Sequence, residues 1–136
     1  MRILLSCLAL AALSSSALAA RPTAAELEQR RAAQLEKLLA GKVAGKPQGC
    51  ITLGRNLSSQ IIDETAIVYR ESASKMFVNK PVAGCSSLRS GNTIVTRTPT
   101  GRLCSGDIAR VVDLQTRFEG GACILGEFIP YTRPKG

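Results

Sequence analysis

Four cysteines constrain this chain more than any other feature. Cys50, Cys85, Cys104 and Cys123 are scattered from residue 50 onward, and the closest of them are 19 residues apart. A redox or zinc site built from cysteines shows close pairs such as Cys-x-x-Cys, and no such pair is present. An even set of widely spaced cysteines points instead to two disulfides, provided the chain matures in an oxidising compartment. The N-terminus supplies that condition. Met1-Arg2 is followed by an apolar run from Ile3 to Leu13, broken by Ser6, then by Ser14-Ser15-Ser16 and Ala17-Leu18-Ala19. This is the three-part pattern of a secretory signal peptide, 1–19, cut after Ala19. The apolar run is shorter than the roughly 20 residues a spanning helix needs, so no transmembrane span is expected in the mature chain. Cleavage removes the fifth cysteine, Cys7, which lies too near Met1 for the lipoprotein box that Leu4-Leu5-Ser6 suggests. The expected location is exported, periplasmic or extracellular, in a bacterium.

Beyond the signal the chain divides in two. Thr23 and Glu26 have capping-box spacing, and strong helix formers continue to Ala40, with Leu27, Leu35, Leu38 and Leu39 recurring at helical intervals. Gly41 is a natural stop. Residues 41–47 hold two Gly, one Pro and two Lys, and read as a flexible basic linker. The segment 20–47 is thus a helix plus linker, and 48–133 the domain. At under about 90 residues its core is small, so crosslinks matter.

The domain reads as short strands: Cys50–Leu53, Thr65–Arg70, Lys75–Asn79, Thr93–Thr98, Arg102–Cys104, Ile108–Leu114 and Cys123–Ile129, the last stopped by Pro130. Val82–Leu88 reads as one helical turn, and Leu57–Ile62 fits strand or turn. The fold class is therefore mainly β: a small antiparallel sheet or barrel of six to seven short strands with two disulfides, preceded by one N-terminal helix. Joining the first strand to the last favours Cys50–Cys123 with Cys85–Cys104. Each bridge is worth roughly 3–4.5 kcal/mol on the loop-entropy model.

From Cys50 to Tyr131 the order of landmarks resembles a family of small exported proteobacterial proteins known only as a domain of unknown function. The resemblance rests on Cys50, Ile61-Ile62-Asp63, Val68-Tyr69 and Phe77-Val78, then Cys85-Ser86-Ser87-Leu88 and Arg102-Leu103-Cys104 with Gly106-Asp107. It ends in Cys123-Ile124-Leu125-Gly126-Glu127-Phe128. Ile51 departs from it, standing where an aromatic often follows the first cysteine. The resemblance implies export, a compact β-rich domain and paired cysteines, and it implies no activity.

The composition excludes much chemistry. With no histidine there is no Ser–His or Cys–His pair and no imidazole ligand. No cofactor or metal is expected. The Ser72-Ala73-Ser74-Lys75 match to Ser-x-x-Lys lacks its companion motifs, and Gly120-Gly121 lacks the Gly-Lys-Ser/Thr of a phosphate loop. Asp107, in Cys104-Ser105-Gly106-Asp107, is the most site-like carboxylate. It reads either as a turn residue or, with Arg102 or Arg110 and with Asp113 further on, as a small catalytic constellation. The formal net charge is +8, and Arg97, Arg102 and Arg110 are placed to share a strand face as an anion-binding surface. Aromatics are too few for a nucleic-acid stacking platform. The leading expectation is a non-enzymatic exported domain that binds an anionic envelope component or a protein. Its alternatives are a hydrolase inhibitor presenting the loop between Cys85 and Cys104, and a small enzyme using Asp107 and nearby Arg.

Overall fold

In the computed structural model, residues 21–134 are described, and the signal peptide read over 1–19 lies outside them. Helix α1 (Ala24–Leu39) is followed by eleven strands. They are β1 (Val43–Ala44), β2 (Cys50–Thr52), β3 (Ser58–Ile62), β4 (Ala66–Arg70), β5 (Lys75–Asn79), β6 (Ala83–Gly84), β7 (Asn92–Val95), β8 (Arg102–Cys104), β9 (Ile108–Asp113), β10 (Glu119–Ile124) and β11 (Phe128–Thr132). All pairings are antiparallel, in a five-stranded sheet β1-β11-β5-β4-β3, a four-stranded sheet β6-β10-β9-β7 and a two-stranded ladder β2-β8.

The strands form because their residues suit a pleated, half-buried surface. Ile67, Tyr69, Phe77 and Phe128 turn to one face of the five-stranded sheet and meet Ile51, Leu103, Val111, Cys123 and Leu125 of the smaller sheets. The alternate residues Ile62, Ala66, Val68, Met76 and Val78 turn the other way, and Leu35, Leu38 and Leu39 of α1 lie on them. The result is three layers: helix, large sheet, small sheets. The helix starts where the capping box says, with Thr23 accepting from the Glu26 amide and Glu26 reaching back to Thr23. Arg31 ties it to the β3–β4 turn through Glu64 at 2.8 Å.

Asn79 is the buried polar residue of this core. Its side-chain amide donates to the Gly126 carbonyl at 2.6 Å and accepts from the Gly126 amide at 3.2 Å. An unpaired amide there would be costly; paired, it clamps the crossover from β10 in the four-stranded sheet to β11 in the five-stranded sheet.

Four expectations are corrected. The bridges are Cys50–Cys104 and Cys85–Cys123, not Cys50–Cys123 with Cys85–Cys104. Cys50 and Cys104 sit directly opposite each other in the β2–β8 ladder, while β10, which carries Cys123, is flanked by β9 and β6 and has no free side for β2. The segment read as a flexible linker runs along β11 as β1, with Gly45 and Gln48 continuing the hydrogen bonding to Pro130 and Phe128. Gly45 marks close approach to Pro130 of β11, while Gly41 takes the left-handed turn that follows α1. The single last strand is two, and Pro130 lies inside β11. There its carbonyl accepts from Gly45, so its missing N–H falls on the β1 side, where that short strand ends. Finally, Val82–Leu88 is not a helical turn: it holds β6 and a turn closed by Leu88 N–H to the Cys85 carbonyl, with Gly84 and Cys85 both left-handed. The ambiguous Leu57–Ile62 resolves as strand β3.

Candidate functional site

The two β-sheet layers differ in what covers them. The large sheet has α1 on its outer face. Of the nine exposed large apolar side chains among the described residues, six belong to the four-stranded sheet and its connections: Val82, Val95, Ile108, Leu114, Phe118 and Ile124. That face also carries the principal cleft, about 470 Å3, lined by Val95, Arg97, Thr98, Asp107, Ile108, Arg110 and Glu119 among others. It opens where β7 ends at Val95 and the chain turns away, leaving the first residues of β9 without a neighbour on that side.

Two of the three expected arginines meet here. Arg110 projects from β9 and Arg97 from the segment just past β7. Arg102 does not join them: it lies on β8, opposite Thr52, in the separate two-stranded ladder. The face-sharing expectation assumed one continuous sheet, and the chain instead divides Arg102 from the others.

The carboxylates of the region are engaged. Arg110 Nη1 contacts both oxygens of Glu119, at 3.0 and 3.1 Å. Glu119 was missed in the sequence because the pair spans neighbouring strands whose register is shifted at Gly120-Gly121. The two glycines serve that bulge and leave room for Ser87 against it. Asp107 Oδ2 accepts from the Cys104 amide at 2.7 Å, which closes the β8–β9 turn through left-handed Gly106. Asp113 accepts from the amides of Gln115 and Thr116, both at 2.8 Å, and these hydrogen bonds hold its carboxyl below the ordinary range. Asp107 and Asp113 flank β9, about 20 Å of strand apart, too far to act as a pair. Among the described ion pairs none involves Arg97, so its guanidinium is the one in the cleft lining outside an ion pair.

The other candidates resolve as structure. Ser72 Oγ accepts from the amides of Ser74 and Lys75 in the β4–β5 hairpin, and Lys75 pairs with Glu71 at 2.8 Å. The loop from Cys85 to Cys104 is not closed by a bridge of its own, since each cysteine is joined elsewhere. That correction removes the crosslinked loop on which the inhibitor reading rested. Among the described residues, no three His, Cys, Asp or Glu side chains cluster as for a metal, and no helix is long and apolar enough to cross a membrane. Compared with known families, curated proteins and solved structures, the chain matches none.

Proposed function

We propose that this is an exported, non-enzymatic binding domain whose Arg97–Arg110 cleft takes an anionic group of an envelope component or of a protein. The observation that carries the reading is Arg97 itself: a guanidinium in no ion pair among the described residues, in the wall of the principal cleft, beside a second arginine and exposed apolar side chains. A planar guanidinium offers paired donors to phosphate or carboxylate oxygens. Export is supported by the N-terminal pattern and by two disulfides, which form in oxidising compartments. The likeness of residues 50–131 to the small exported family belongs to the same proposal.

The test is calorimetric titration with inorganic pyrophosphate at low and high salt, on the parent protein and on Arg97→Gln. Binding should weaken with salt and fall about fivefold or more in the variant, the scale of one lost charge-assisted contact. Salt-independent binding, or equal binding by Arg97→Gln, would overturn it.

A second reading keeps a small enzyme at the same place, because Asp107 and Arg97 line one cleft. Against it, Asp107 already spends an oxygen on the Cys104 amide. The enzyme reading expects Asp107→Asn to abolish function at unchanged pyrophosphate affinity.

A further inference from the structure

The outer face of the four-stranded sheet is ordered in rows by its register. Ala83, Ile124 and Ile108 stand opposite one another on β6, β10 and β9. Ala122, Arg110 and Val95 form the next row on β10, β9 and β7. Directly opposed residues of an antiparallel ladder share a face, as do alternate residues along a strand, so Ile108 and Arg110 stand on one surface. Ile108 is 62% exposed, Ile124 41% and Val95 43%, and Val82, 71% exposed, lies beside the start of β6. An apolar strip therefore runs across the strands and ends at the Arg97–Arg110 cleft.

We infer that the strip and the cleft together bind a single anionic amphiphile, with its phosphate in the cleft and its hydrocarbon chain laid over Ile108 and Ile124. This rests on the anion reading of the cleft and adds the chain. Charge complementarity selects the anionic head, because among the described residues Arg97 forms no ion pair and Arg110 stands beside it in the cleft. The geometry selects a single molecule over a bilayer surface. In a bilayer, headgroups and chains lie at different depths, whereas the cleft and the strip lie side by side on one sheet face. A lipid that fills both must lie along the sheet, outside the bilayer.

The experiment is a chain-length series of alkyl phosphates, each below its micelle concentration, titrated into the oxidised protein. Pyrophosphate is the headgroup control and a neutral alkyl maltoside the chain control. Burial of one side of a chain predicts about a twofold gain in affinity per methylene. Val82→Ser/Ile124→Ser should flatten that dependence while leaving pyrophosphate affinity unchanged, since both positions are exposed and neither lines the cleft. Arg97→Gln should abolish the preference for phosphate over maltoside. If pyrophosphate and long alkyl phosphates bind alike, the cleft reading stands and the amphiphile inference falls. If neither binds, both fall. Binding to phosphatidylglycerol vesicles without binding to monomeric alkyl phosphates would overturn the inference in favour of a membrane surface.

Discussion

Removing the Cys85–Cys123 bridge, as Cys85→Ala/Cys123→Ala, should destabilise the protein more than removing Cys50–Cys104, although its loop is the shorter. The sequence separations are 38 and 54 residues. On the loop-entropy model each closure is worth about 4 kcal/mol, and the difference between the loops is only a few tenths. Burial then decides the order. Cys123 has no exposed surface and packs among Tyr69, Val111, Leu125 and Phe128, whereas Cys50 and Cys104 are both partly exposed. Truncating Cys123 therefore adds lost packing of about 1 kcal/mol. The two loops overlap along the chain, so either bridge already shortens the path that the other closes. About 4 kcal/mol is accordingly an upper value for a single removal, and removing both bridges should cost more than the two single losses added. The assay is thermal and urea unfolding of the two double variants and of the quadruple variant, with a non-reducing peptide map of the parent. The Cys85–Cys123 variant should melt roughly 10–20 °C lower. A shift within about 3 °C, or a Cys50–Cys104 variant that is clearly the weaker, would refute this reasoning. A Cys50–Cys123 linkage in the map would refute the pairing itself.

Two further predictions concern single groups. Among the described residues the buried Tyr69 hydroxyl has no hydrogen-bond partner, and burial pushes the phenol well above its ordinary value of 10.0. Tyr69→Phe should thus be neutral or stabilising, by up to about 1–3 kcal/mol. Because the folded state holds its proton more tightly, stability in the parent should fall as pH rises past about 10, and the variant should lose that part of the alkaline limb; a destabilised variant would show that the hydroxyl has a partner. Asp63 is held below its ordinary 3.8, chiefly by hydrogen bonds from Ser90 and also by nearby Arg31 and Arg89. A depressed carboxylate contributes stability above its unfolded value that is lost as pH falls through its folded one. The parent should weaken below about pH 3.8, with Asp63→Asn flattening that limb in acid unfolding followed by circular dichroism.

The candidate site was half legible. Arg97 and Arg110 stand out in the sequence by charge and strand placement, and they share the cleft. Arg102 carried the same local signal and ended in a different ladder. Glu119 carried none, because a cross-strand partner next to a bulge has no fixed spacing in sequence. Asp107 was legible as a turn residue, since a Gly-Asp step that closes on its own backbone is a local event, and the Cys104 amide completes it. The strip of Ile108, Ile124 and Val95 could not be read beforehand. Alternation shows which residues of one strand share a face, but not which faces a neighbouring layer covers.

What the sequence determined by itself is therefore what depends on near neighbours. The capping box of Thr23 and Glu26, the helical leucines, the β-branched strands and the mainly β antiparallel class all follow from contacts a few residues apart. The tertiary structure decided the rest: which cysteines join, that residues 43–44 extend a sheet, that Pro130 sits within a strand, and which sheet face stays bare. Each of these is a choice among distant partners of nearly equal local propensity. Burial and hydrogen-bond satisfaction across the whole domain separate them, as β10 shows by having no free side left for Cys50.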